Sequence, residues 1–270
     1  MTVQGANRRD MGLLAELIGV SLGAVLASLS AVRRGKVVHP DGVVHDARLI
    51  VPGEAAAPRA ARLLSQPGEH RAVVRFSRSL GLPRPLPDLL GLSVRVLDPY
   101  GPGCHQDFLL VSSADLPILH HLFLPARDVQ QRPFTSSLPY RAGGETFLVG
   151  ALPDHGSPLP SGGDEFDRIE AAAATKQLRF HLAVASAWGR FRPVAELGVG
   201  RRLPAELDAL RFNPWNTGGG LEPAGALNRA RDRAYRMSQA SWRRTRRDGA
   251  QLQDAADRRL AALSSASHPQ

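Results

Sequence analysis

The chain has 270 residues, 43% of them hydrophobic, which is enough for a sizeable core and too many for wholesale disorder. Its single cysteine, Cys104, excludes an intrachain disulfide framework, Cys-based zinc fingers and Cys-ligated clusters. The 34 basic residues outnumber the 25 acidic ones for a net charge of +9, and lysine occurs only at Lys36 and Lys176. Such an excess points to nucleic acid, an anionic membrane or acidic groups on a ligand, and its location has to choose among them.

Residues 11–32 form the longest apolar stretch and have the length of a membrane span. Glu16, several Ser and Gly, and basic residues at both ends (Arg8, Arg9, then Arg33, Arg34, Lys36) favour a packed or interfacial helix instead. Peripheral membrane contact through this segment is the alternative to a cytoplasmic chain. Arg8-Arg9 before an apolar run also fits a twin-arginine export signal, against which Asp10 and Glu16 weigh.

From Val37 onward the texture is that of short strands. Residues 43–51, 72–78, 91–97, 107–112, 146–151 and 178–187 are rich in Val, Leu and Phe and bounded by Gly, Pro and Asp. Turn signals recur at 40–42, 82–88 and 99–103. This pattern predicts an antiparallel sheet or barrel. Residues 54–66 predict a short helix, 152–164 an exposed loop and 165–177 a helix.

The last third turns helical. Gly218–Gly220 break the chain, and Pro223 suits a first turn before a helix over 224–247; a second helical segment covers 249–263. A 3.6-residue period places Leu227, Arg231, Tyr235, Ser238 and Trp242 on one stripe. Residues 229–247 hold eight Arg and one Asp, which is +7 of the net +9. His45 and the pair His120-His121 have no carboxylate or Cys at ligand spacing, which speaks against a metal site there.

Four motifs carry chemistry. Lys36-Val37-Val38-His39-Pro40-Asp41-Gly42 resembles the "R-V-V-H-A-x-G" segment of the haem-catalase family. Val74-Arg75-Phe76-Ser77 resembles its "V-R-F-S". The run from Asp88 to Val96 resembles "D-P-R-G-F-A-V-K-F", and Arg231-Asp232-Arg233-Ala234-Tyr235 resembles "R-x-x-x-Y". The motifs stand in the family's order and cover about 36–113 and 210–243.

The resemblance implies haem b, with Tyr235 as iron ligand, Arg231 bonded to its phenolate and His39 as the distal acid–base group. It implies that Arg75 and Lys36 meet the propionates and that Ser77 holds the His39 ring. The chemistry agrees. A phenol with a pKa near 10 needs the iron's charge and a nearby cation to ionise, and Arg231 lies one helical turn from Tyr235. A peroxide proton must move between oxygens, which suits an imidazole.

The chain also departs from the family. No Asn stands in Asp107–Ser113, where the family has its distal Asn; Ser112 or Ser113 takes that place. Ile118 and Leu119 replace the distal Phe residues. Trp242 stands where the family has a second Arg, with Arg243 beside it. These departures favour peroxidase-type over catalase-type turnover.

The expected fold is α+β: an N-terminal helical arm (1–35), an antiparallel β-barrel haem-binding core (36–215) and C-terminal helices bearing the proximal ligand (216–270). The expected activity is that of a haem-dependent, catalase-like enzyme on hydrogen peroxide or organic hydroperoxides. His39, Ser77 and Ser113 would be catalytic, and Tyr235, Arg231, Arg75, Lys36 and Arg243 would bind the cofactor. Expected partners are peroxide, a small-molecule reductant and further copies of the chain. A haem protein without turnover and an Arg-rich binder of nucleic acid or anionic surfaces are the competing readings. The absence of a recognised reading motif counts against the last.

Overall fold

Apolar residues recur at every second position from Val43 to Val51, with His45 as the exception, and from Ala72 to Phe76, so each segment has one face for a core and one for another environment. In the computed structural model, which describes residues 41–53, 56–117, 119–156, 158–224 and 255–262, these segments are β1 (Asp41–Val51) and β2 (Gly68–Arg78). They are followed by β3 (Leu90–Val96), β4 (Gln106–Ser112), β5 (Phe134–Thr135), β6 (Tyr140–Ala142), β7 (Glu145–Pro153), β8 (Arg179–Ala185), β9 (Arg192–Arg202) and β10 (Leu221–Pro223). All pairings between these strands are antiparallel. They run β7-β5-β4-β3-β2-β1-β9-β8, and β8 returns to β7, which closes an eight-stranded barrel. β6 and β10 extend β7 outside that ring.

The barrel interior is filled rather than hollow. Phe76, Phe108, Phe134 and Phe180 are fully buried, and Phe180 lies 5.9 Å from Phe76 and 6.0 Å from Phe134 between ring centroids. Two short helices pack on the barrel, of which α1 (Arg62–Ser65) buries Leu63 and Leu64. α2 (Glu165–Ala174) adds Ile169, Ala172 and Ala173 to the same cluster. Asp164 caps α2, accepting from the Phe166 N–H at 3.0 Å, while Asp167 reaches back to the Asp164 N–H.

A second, smaller core lies on the outside of the barrel. Val44 and Val73 meet Leu203, Leu207, Leu210 and Phe212, and Ala256 and Leu260 from the helical residues 255–262 complete it. The segment after β9 therefore folds back over the outer face of β1–β4.

The antiparallel barrel expected from the strand pattern is what forms, and the six predicted strands match β1–β4, β7 and β8. The helix expected over 54–66 shrinks to Arg62–Ser65, and the one over 165–177 ends at Ala174. The pattern misses β5, β6 and β10, which are only two or three residues long, and β9, where Glu196, Gly198 and Gly200 dilute the apolar alternation. The 152–164 loop begins only after Pro153, since Leu152 and Pro153 still pair with β8. Gly218–Gly220 form the expected break, with Gly219 and Gly220 at positive φ. A Cβ on Gly219 would lie 2.3 Å from the Tyr100 ring, and one on Gly220 2.1 Å from the Ala60 carbonyl. The N-terminal arm and residues 225–247 of the expected C-terminal helix lie outside the described residues, and Ala224, where that helix is expected to begin, instead donates its N–H to the Pro139 carbonyl. Among the described residues no helix is long and apolar enough to cross a membrane.

Candidate functional site

Side chains two apart on a strand share a face, so the registers of β1–β4 define three rows on the outside of the barrel. The first is Gly42, Ser77, Gly91 and Val111. The second is Val44, Arg75, Ser93 and Leu109. The third is Asp46, Val73, Arg95 and Asp107. The first row is small, the second holds a cation and the third ends in an ion pair.

Two of the motifs interlock here. Gly42, the last residue of the His39 motif, pairs with Ser77 of the Val74–Ser77 motif. The Arg75 guanidinium lies across Gly42: a Cβ there would stand 2.6 Å from its Cζ and 2.7 Å from the Phe76 carbonyl oxygen. Glycine is therefore required by close approach, not by a turn. Burial pushes the Arg75 guanidinium down from its ordinary pKa, and Asp208 and Asp41 push it back up. Ser77 is buried, and its hydroxyl is 3.5 Å from the Gly91 carbonyl.

The ion pair at the end of the third row anchors the returning segment. Arg95 donates Nε to Asp107 Oδ1 and Nη2 to Oδ2, both at 2.7 Å, and Nη2 also donates to the Arg211 carbonyl at 2.7 Å. Asp107 further accepts from the Asn213 N–H at 2.7 Å and from Asn216 Nδ2 at 3.2 Å. The Arg95 guanidinium stacks 5.2 Å from the Phe212 ring. A bidentate pair with its lone pairs filled can bear burial, and it fixes residues 211–216 against the sheet.

Ser112 and Ser113 hold the loop after β4. The Ser112 hydroxyl donates to the Leu124 carbonyl at 2.7 Å and accepts from the Leu90 N–H at 3.1 Å. Ser113 donates to the Leu122 carbonyl at 2.6 Å, so its one proton is committed while its lone pairs are not. Leu119 is part of the same loop.

The structure thus brings Arg75 and Ser77 together on the outer face, with Ser113 beyond the end of β4, two strands and about 10 Å across the sheet. Lys36, His39, Ile118, Arg231, Tyr235, Trp242 and Arg243 lie outside the described residues. Arg95, Asp107, Gly91 and Ser93 were missed as parts of this face. The signal in β3 is a small or charged residue at every second position (Gly91, Ser93, Arg95) opposite a wholly apolar face, whereas Asp107 in β4 stands in no such pattern.

No described residues form a cluster of three or more metal-ligating side chains. A haem is a broad, flat, largely apolar group with two carboxylates. The small first row, through which such a group could approach the backbone closely, and the Arg75 cation beside it fit one side of that group.

No protein-family profile matches the chain, and no curated protein matches it. Solved structures do. A bacterial catalase aligns over 80% of this chain and 58% of its own, with a TM-score of 0.50 and 13% identity. A fungal catalase aligns over 74% of this chain and 58% of its own, with a TM-score of 0.51 and 13% identity. The chain therefore has a catalase-like fold and spans less than three fifths of either structure.

Proposed function

We propose that this chain binds haem b on the outer face of β1–β4 and turns over hydrogen peroxide or organic hydroperoxides with a small-molecule reductant. The observation that carries the reading is the interlock of two catalase-like motifs, Gly42 against Ser77 with Arg75 lying across Gly42, on a catalase-like barrel. When bound, haem supplies the redox-active iron at which a peroxide O–O bond is cleaved.

The residues divide that work. Tyr235 is the proposed iron ligand, and Arg231, four residues before it, keeps its phenolate ionised. Arg75 and Lys36 pair with the propionates, and Arg243 supplies a further cation on the proximal side. His39 moves the peroxide proton, and Ser77 orients the His39 ring by its hydroxyl. Ser113 acts toward a bound peroxide as an acceptor, because its proton is held by the Leu122 carbonyl. With that donor committed and no Asn at the position, a peroxide is less firmly oriented than a family-type site would hold it. This favours peroxidase-type turnover, and equally a haem protein with little turnover, over fast disproportionation.

The test is an absorption spectrum of the purified protein. The expected result is a Soret band with a high-spin ferric, tyrosinate-type visible spectrum. Tyr235→Phe should lose haem or change that spectrum, and His39→Ala should keep haem and lose peroxide turnover. Protein that gains no Soret band on haem titration overturns the reading. A Soret band with no turnover selects the non-catalytic haem protein.

A further inference from the structure

Three charged side chains meet at one end of the barrel, apart from the outer rows. Arg78, Asp88 and Glu165 are each 5% exposed or less. Arg78 is the last residue of β2 and shares its inner side with Val74 and Phe76. Its Nη1 donates to Glu165 Oε2 at 3.1 Å, and its Nη2 donates to the Leu86 carbonyl at 2.9 Å and the Leu82 carbonyl at 3.3 Å. Its Nε lies 3.6 Å from Asp88 Oδ2. The guanidinium therefore ties the 79–88 loop to Glu165, the first residue of α2. Arg84 of the same loop pairs with Asp164, the cap of α2, and lies 5.0 Å from the Phe166 ring centroid.

The two carboxylates are not equally held. Asp88 accepts from the Leu80 N–H at 2.8 Å and the Leu82 N–H at 2.9 Å, besides facing the guanidinium. Glu165 accepts from Arg78, and its Oε1 is buried with no hydrogen-bond partner among the described residues. One guanidinium cannot neutralise two carboxylates, and like charges sharing a dry site favour a proton on one of them. Glu165, with fewer donors, is the one to take it. Burial raises its carboxyl above the ordinary pKa, and Arg78 from β2, Arg168 from α2 and Arg84 from the loop offset part of that rise. β9 also packs against α2, where its Arg202 acts on Glu170 further along the helix.

We propose that Glu165 is the proton-binding group of a latch that holds α2 and the 79–88 loop across this end of the barrel, and that the latch loosens when the proton leaves. The charged carboxylate needs water, which it reaches when the first turn of α2 frays. That fraying breaks the Arg78–Glu165 and Arg84–Asp164 contacts together. Arg78 follows Ser77 and stands opposite Asp41 in register, so the latch borders the Ser77 end of the outer face. It does not depend on the haem reading.

The folded chain binds this proton more tightly than the unfolded one. Its stabilising share is therefore complete below pH 4.5 and is lost as pH rises through the raised folded value. His45 and His120, which burial shifts downward, act with the opposite sign, so the test is a difference. Amide hydrogen exchange of the full-length protein is compared with that of Glu165→Gln, which keeps an acceptor for Arg78 without a charge, at matched pH from about 5 to about 9. Relative to the variant, the parent should lose protection in residues 79–88 and 164–174 as pH rises, by about tenfold for each unit between its folded and unfolded pKa. The inner strands β2 and β3 should keep theirs. Arg168→Gln removes a cation that favours the charged carboxylate and should move the loss to higher pH. A parent-to-variant ratio that stays constant with pH overturns the proposal. So does a change spread equally over all strands, or an Arg168→Gln profile that does not move upward.

Discussion

The two faces of the barrel wall solve different problems with the same strands. The inner face of β2 is Ala72, Val74 and Phe76, packed among Phe108, Phe134 and Phe180. The outer face of the same strand is Val73, Arg75 and Ser77, set among glycine, serine and a bidentate ion pair. Stability resides chiefly inside, and the groups able to do chemistry reside outside. A barrel of this size leaves no room for a ligand once four phenylalanines occupy it, so the outer face is where a site can be built.

The sharpest test of that division is a pair of truncations. Phe76→Ala removes a fully buried ring and should lower unfolding free energy by about 3–5 kcal/mol in urea titration. Ser77→Ala, the next residue, should stay within about 1 kcal/mol while altering peroxide turnover. Similar stability losses for the two would break the comparison.

Asp107→Ala tests whether the outer face also has a structural part. It leaves the Arg95 guanidinium buried without its partner and should cost about 3–5 kcal/mol. Chevron or equilibrium unfolding would detect it, and a loss under about 1 kcal/mol would mean that water reaches Arg95 easily.

Gly42→Ala is a smaller perturbation, at the point where the two motifs cross. The new Cβ must displace the Arg75 guanidinium or the Phe76 carbonyl, and overpacking of this kind costs about 1–3 kcal/mol. Haem affinity should fall more than stability does, measured by haem transfer to an acceptor protein. Unchanged affinity would sever Arg75 from the cofactor.

The smallest expected effect is a pH dependence from inside. His45 projects into the barrel, bonds the Gly200 carbonyl at 3.0 Å through Nδ1, and leaves Nε2 buried without a partner. Burial is the largest influence on it and lowers its pKa from 6.5, opposed by the Gly200 bond and assisted by Arg202. The unfolded chain then binds the proton more readily than the folded one. The stabilising contribution is therefore present above pH 6.5 and lost as pH falls through the lowered folded value. Thermal midpoints should drop from pH 7 toward pH 5, and His45→Leu should flatten that slope. An equal slope in the variant would assign it to His70, His105 and His120, which burial shifts the same way.

Much of the barrel was readable from one residue to the next. Val43 to Val51 and Ala72 to Phe76 alternate with period two, and that alternation is local. β9 was not readable, because its glycines and Glu196 are tolerated only by neighbours contributed by β1 and β8. The candidate site divides in the same way. The motifs of His39, Arg75 and Tyr235 could be seen in the chain. The contact of Arg75 with Gly42 could not, since it joins residues 33 apart, and neither could the Arg95–Asp107 clamp on residues 211–216.

The charge excess was the first feature to suggest a partner, and the sequence alone located most of it in residues 229–247, away from the strands. Local patterning also determined the strand-rich core, and the motif resemblances supplied the residues of the proposed haem site, because side-chain alternation and motif spacing need no knowledge of the fold. Only the tertiary structure decided that Arg75 and Ser77 share the outer face with Gly42 and Gly91, that Ser113 spends its proton on a loop carbonyl, and that Arg78 meets two buried carboxylates. These are properties of strand register and of partners distant in sequence, and register is set by closure of the whole barrel.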